Sequence, residues 1–292
     1  MVRKKVKKIC CITGTRADYP RVRSVLKRLK YNPNFILYIV VTGSHLLKEY
    51  GYSYKEIVED GFEIYKKVHM FKNDFNSPYG MALASAECTK GIAHALSEIN
   101  PDLVLLTVDR VETLAAATAA SLMNYPIAHI QGGEITGTID EVLRHAITKL
   151  SHIHFPASKD AKKRILRLGE NPKLIFQTGC PYIDELKNYQ YLNKVKLSKK
   201  YKLDLDKKWV IFTQHAVTTE VNDSLSQIKK TISALNEFPD LEIICFFSNT
   251  DAGSKEIIQQ NKKQSRFKMF PNMKSEDFAS VMKSSKFMIG NS

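Results

Sequence analysis

The stretch IAHIQGGE (127–134) is an apolar run ending in a histidine, an amide, two glycines and a carboxylate. A strand-to-helix turn needs the glycines but not His129, Gln131 or Glu134. Polar residues recur after other apolar runs. TGTRADY (13–19) carries Arg16, TGSHLL (42–47) carries His45, and TVDRVE (107–112) carries Asp109 and Arg110. HIHF (152–155) places His152 and His154 two apart, on one face of an extended strand. Gly14 permits a tight turn, and N–H groups at the next helix start can hold a phosphate that Arg16 could clamp bidentately. An ordinary turn with Arg16 in solvent fits equally well. G-x-G-x-x-G and Walker A spacings are both absent, so a dinucleotide or P-loop site is not supported.

In GTIDEVLRHAI (137–147), Thr138 and Glu141 fit a capping box, which gives Glu141 to the helix start. Asp140 is outside that box. It can pair with Arg144 four residues on or project from the helix start into a cleft, and the helix pattern leaves both open. TQHAVTTE (213–220) ends another apolar run with His215, and the terminal Asn291 and Ser292 begin a further phosphate-holding turn. No cysteine pair or carboxylate completes a ligand set around His152 and His154. No metal is therefore expected.

The elements that must position these residues alternate between short β-rich runs and helical patterns. KICCITG, FILYIVVTG, PDLVLLTVD, PIAHI, HIHFPAS and KLIFQTG read as strands without polar alternation, as in a buried parallel sheet. Residues 1–186 are expected to form a doubly wound α/β domain, 187–207 a polar, lysine-rich link, and 208–292 a second such domain. Ligands of open α/β sheets bind beyond the carboxyl ends of the strands. The expected architecture is two Rossmann-like domains facing a cleft, of GT-B type. The chain stops directly after a strand, so the second domain is expected to be incomplete.

Composition bounds the function class. No apolar run in the 292 residues approaches the ~20 needed to cross a bilayer, and no targeting segment is read at the N-terminus. Five scattered cysteines without C-x-x-C spacing suit a reducing cytoplasm. The net charge of +14 is spread over lysines with no aromatic stripe between them. That suits a solvated surface rather than nucleic-acid binding.

GTRADY, GSHL, DRVET, HIQGGEITGTIDEVLRHAITKLSHIHF, TGCPYIDEL, TQHAVTTE and IGNS occur in this order. The series resembles the hydrolysing UDP-N-acetylglucosamine 2-epimerases of sialic-acid type over nearly the whole chain. The resemblance implies elimination of UDP across C1 and C2 of a UDP-sugar, then addition of water to release free N-acetylmannosamine or a diacetamido analogue. It implies Asp109 and Asp140 as acid/base residues and His215 near the diphosphate. Arg16, Arg110 and Ser292, with Asn291, fall at nucleotide positions; His45, His129, His152 and His154 at the sugar; and Glu134 at a loop brace. The resemblance implies no cofactor, and a homodimer or homotetramer is the expected assembly.

Two departures stand out. Val108 replaces the glycine of the usual G-D-R, and a valine does not readily take φ > 0. Gln131 stands where several relatives carry an acid/base glutamate and others a histidine, and an amide exchanges no proton near neutral pH. These departures and the early stop motivate a second reading, a UDP-sugar-binding pseudoenzyme or inactive fragment. A GT-B glycosyltransferase is a third.

Overall fold

The computed structural model describes residues 6–72 and 75–291. The chain divides into two compact units. The first holds β1 (Lys7–Thr13), α1 (Tyr19–Lys30), β2 (Phe35–Val41), α2 (Tyr54–Glu59), β3 (Lys66–Lys67), α3 (Pro78–Ile99), β4 (Leu103–Thr107), α4 (Val111–Leu122), β5 (Ile127–Ile130), α5 (Ile139–Leu150), β6 (Ile153–Phe155), α6 (Lys159–Arg167) and α7 (Pro181–Asn188). Its six-stranded parallel sheet runs β3-β2-β1-β4-β5-β6. The strand order reverses between β1 and β4, and the loops after those two strands flank the position where such sheets bind ligands.

The two-sided burial of the strands explains their unbroken apolar runs. Cys10 and Ile12 of β1 face one core, with Val104 and Leu106 of β4. Ile9 and Cys11 face the other, with Ile39, Val41 and Leu105. Five buried alanines along α4 (Ala115, Ala116, Ala117, Ala119 and Ala120) keep that helix slim enough to lie close to the sheet. On α1, Tyr19, Val22, Arg23 and Leu26 follow helical spacing and are buried. Arg23 is held among three carboxylates: Asp60 at the end of α2, Glu56 within α2 at 3.8 Å, and Glu185 of α7 at 3.6 Å.

The second unit holds α8 (Lys194–Tyr201), β7 (Lys208–Thr213), α9 (Ser224–Asn236), β8 (Leu241–Phe246), α10 (Ser254–Lys262), β9 (Phe267–Phe270), α11 (Ser275–Ser284) and β10 (Phe287–Gly290). Its four-stranded parallel sheet runs β10-β7-β8-β9. Val210 and Phe212 of β7 face one core, and Trp209 and Ile211 the other.

Several local expectations differ from the structure. Residues 187–207, read as a link, carry α8, and Leu197 and Leu203 are buried against Trp209 within the second unit. That unit also takes in the start of α3 as far as Met81, and Glu49–Gly51, where Tyr50 donates from its hydroxyl to the Asn249 carbonyl at 2.9 Å. KLIFQTG is not a strand. Its Ile175 makes one isolated bridge to His154, and Pro172–Leu174 is a 3-10 turn. No described helix is long and apolar enough to cross a membrane.

Candidate active site

The loop after β1 is organised by Asp18, a buried residue the sequence reading quoted but did not single out. Its carboxylate accepts from the Gly14 N–H at 2.8 Å and from the Thr15 hydroxyl. The loop after β2 closes on it, with the His45 N–H donating to the Gly14 carbonyl at 3.0 Å. His45 is fully buried, and its ring nitrogens engage Thr13 Oγ1 at 3.1 Å and Ser53 Oγ at 2.8 Å. Burial pushes its pKa down to about 4. His45 therefore braces the loops from beneath, where the sequence reading had set it against the sugar. Arg16 is partly exposed on the same loop.

The loops after β4 and β5 share an unusual feature. Val108 lies at φ 59° and Gln131 at φ 61°, both left-handed. For a β-branched residue this is an outlier costing about 1–3 kcal/mol. Val108 thus takes the left-handed conformation that a valine does not readily adopt. Two hydrogen bonds hold it: its N–H donates to the Ile130 carbonyl at 3.1 Å, and its carbonyl accepts from His129 Nε2 at 2.8 Å. A carbonyl can only accept, so the neutral His129 ring carries its hydrogen on Nε2, and Nδ1 accepts from the Thr148 hydroxyl at 3.2 Å. His129 is fully buried, and burial pushes its pKa down to about 4, against a smaller opposing effect of the bond to Val108. It too lies beneath the loop rather than open to a sugar.

The glycine pair of QGGE has a packing cause. A Cβ on Gly132 would lie 2.7 Å from Thr148 Oγ1 and 2.8 Å from His129 Nδ1. Gly133 sits at φ 82°, and its Cβ would approach the Ala161 carbonyl oxygen to 2.5 Å. The loop is then held from two helices. Arg144 of α5 donates to the Glu134 carbonyl at 2.7 Å, and Arg164 of α6 to the Gly133 carbonyl at 3.0 Å. Glu134 accepts from the Ser158 hydroxyl at 3.3 Å, and Ser158 caps α6. Through Ser158 the Glu134 carboxylate is tied to the start of α6.

Asp109 and Asp140 are each joined to a guanidinium. Buried Arg144 bonds the Asp109 carboxylate, and Arg110, at the start of α4, lies 3.5 Å from that of Asp140. The Asp140–Arg144 pair considered from sequence does not form, because Arg144 turns to Asp109 and Glu134. Glu141 also departs from the capping box. Its carboxylate accepts from the Thr136 and Gly137 N–H groups, at 2.7 and 2.8 Å, and Thr138 makes no side-chain cap. These N–H groups, Gly137's first, hold the Glu141 pKa below the usual range. Gln131 donates its N–H to the Phe155 carbonyl at 3.0 Å, while its side-chain Oε1 is buried without a hydrogen-bond partner among the described residues.

His152 and His154 are not brought to these loops. β6 begins at Ile153, so the spacing of two straddles its start. His152 accepts at Nδ1 from the Ile127 N–H at the amino end of β5, opposite the loops that carry Asp109 and Gln131. His154 is buried in mid-strand, 3.3 Å from Glu170, and burial lowers its pKa against the pull of that carboxylate. Among the described residues no cluster of three or more His, Cys, Asp and Glu is placed to hold a metal ion.

In the second unit the ends of β7 and β10 are tied reciprocally. Asn291 accepts from the His215 N–H at 2.8 Å and donates to the His215 carbonyl at 3.0 Å. The Asn249 N–H donates to His215 Nδ1 at 3.0 Å, so the neutral ring carries its hydrogen on Nε2. Ser292, expected at the nucleotide, lies outside the described residues.

Residues 27–292 match the family model for UDP-N-acetylglucosamine 2-epimerase. A Legionella pneumophila protein described as a UDP-N,N'-diacetylbacillosamine 2-epimerase (hydrolyzing) is 38% identical, over 98% of this chain and 76% of its own. A Neisseria meningitidis UDP-N-acetylglucosamine 2-epimerase is 34% identical, over 98% of this chain and 75% of its own. Among solved structures, a Methanocaldococcus jannaschii UDP-GlcNAc 2-epimerase in complex with UDP-GlcNAc and UDP superposes with a TM-score of 0.78 at 18% identity. It covers 98% of this chain and 79% of that one. The GT-B-type fold with two Rossmann-like units is thus shared.

Proposed function

This chain belongs to the UDP-N-acetylglucosamine 2-epimerase family, and from that premise we propose that it hydrolyses and epimerises a UDP-linked acetamido sugar. A base takes the C2 proton, the C1–oxygen bond breaks, and UDP leaves with the electron pair, giving a 2-acetamidoglycal. Water then delivers hydroxyl to C1 and a proton returns to C2 from the opposite face. The product is a free sugar inverted at C2, N-acetylmannosamine or its diacetamido analogue, for sialic or related nonulosonic acid synthesis.

Asp109 and Asp140 exchange the protons, while Arg110 and Arg144 fix the directions of their carboxylates. Arg16 and the loop after β1 serve the nucleotide. His215, with its donor on Nε2, stabilises the departing diphosphate. The observation that carries the reading is the Asp109–Arg144–Glu134 link. It joins the end of β4, the QGGE loop and α5 around one carboxylate.

UDP release from UDP-N-acetylglucosamine and from its diacetamido analogue tests the proposal. Turnover of at least one is expected, and Asp109→Asn should lower it by about 100-fold or more. No UDP from either sugar would sink it. The buried, unpartnered Oε1 of Gln131 favours a second reading, a sugar-binding pseudoenzyme. That reading expects UDP binding without turnover, unchanged by Gln131→Glu.

A further inference from the structure

Val108 is buried and left-handed, and the next residue is Asp109. A strained backbone persists only where its surroundings over-determine it. Here His129 supplies the bond to the Val108 carbonyl, at 2.8 Å. The other ring nitrogen meets Thr148 at 3.2 Å, on α5, the helix whose Arg144 holds the Asp109 carboxylate. One imidazole therefore ties the strained turn to the helix that orients the same carboxylate. Gly132 leaves it room.

We propose that His129 is a positioning residue: by donating from Nε2 to the Val108 carbonyl it holds the left-handed turn that aims Asp109. The proposal rests on the reading of Asp109 as a proton-transfer residue. His129 itself moves no proton in the reaction. Its ring is sealed from solvent, and both nitrogens are engaged within the fold.

Two substitutions separate this role from simple packing. His129→Asn is too short to reach the Val108 carbonyl, whereas His129→Gln extends a donor towards the place of Nε2. In the full chain acting on the UDP-sugar, His129→Asn is expected to lower kcat by about tenfold or more, with KM changed less than about threefold. His129→Gln should stay within about threefold of the parent and keep the parent's pH profile of kcat. In a Val108→Gly background the loss from His129→Asn should shrink to less than about threefold, because glycine takes this φ unaided.

Amide hydrogen exchange over residues 107–111 makes the same comparison without turnover. His129→Asn should speed exchange, and Val108→Gly should return it to the parent's rate. Equal effects of His129→Asn in both backgrounds would overturn the proposal. If the parent chain releases no UDP, exchange still decides the positioning and only the functional reading fails. If His129→Asn does not fold, Val108→Gly is expected to restore folding, and its failure to do so counts against the proposal.

Discussion

His45 and His129 are fully buried, and each has its pKa pushed down from 6.5 to about 4 by burial. Both rings stay neutral in the folded chain while the unfolded chain takes up protons. Their contribution to stability is therefore complete above pH 6.5 and is lost as pH falls from there towards about 4. Each histidine steepens the decline by up to about 1.4 kcal/mol per pH unit. Urea unfolding between pH 7.5 and 4.5 should show this, and His129→Gln should flatten the slope by about one proton. An unchanged slope would place the proton uptake elsewhere. Sequence alone marked His129 as chemically capable but could not show it sealed beneath the loop. That depends on Thr148 and Val108, which are 19 and 21 residues away along the chain.

The elements carry their own tests. Gly133→Ala must place a methyl group against the Ala161 carbonyl, at a φ of 82°. It should cost about 2–4 kcal/mol in unfolding free energy, with Gly137→Ala nearer about 1 kcal/mol because open space surrounds Gly137. Near-equal losses in chemical denaturation would contradict this packing. Arg23→Ala should cost about 3 kcal/mol in unfolding free energy, since it removes the buried cation shared by Glu56, Asp60 and Glu185 and leaves Asp60 to the Tyr19 hydroxyl and Glu185 to Lys27 at 3.7 Å. Most strands were legible because two-sided burial leaves apolar runs with few alternatives. KLIFQTG was misread because its apolar triad begins inside a proline-started 3-10 turn and pairs at only one residue. The two-residue β3, KK, carries no apolar signal at all. The lysines of 187–207 masked α8, whose buried contact falls on Leu197.

Across the molecule, strand-and-helix alternation made two parallel α/β units legible, and the motif series pointed to the family. Loop chemistry was legible in part. Asp109, Asp140, Arg110 and Gln131 gather at the carboxyl ends of β4 and β5 and the start of α5, whereas His152 stands at the other end of the sheet. Strand spacing tells which face a residue takes but not how far along the strand it lies. The central claim is proton exchange at C2 coupled to loss of UDP. Proton NMR of the chain turning over its UDP-sugar in D2O measures both together. The account predicts UDP and a free sugar inverted at C2 with deuterium at that carbon. Release of a sugar that keeps its C2 proton, or no release of UDP, would contradict it.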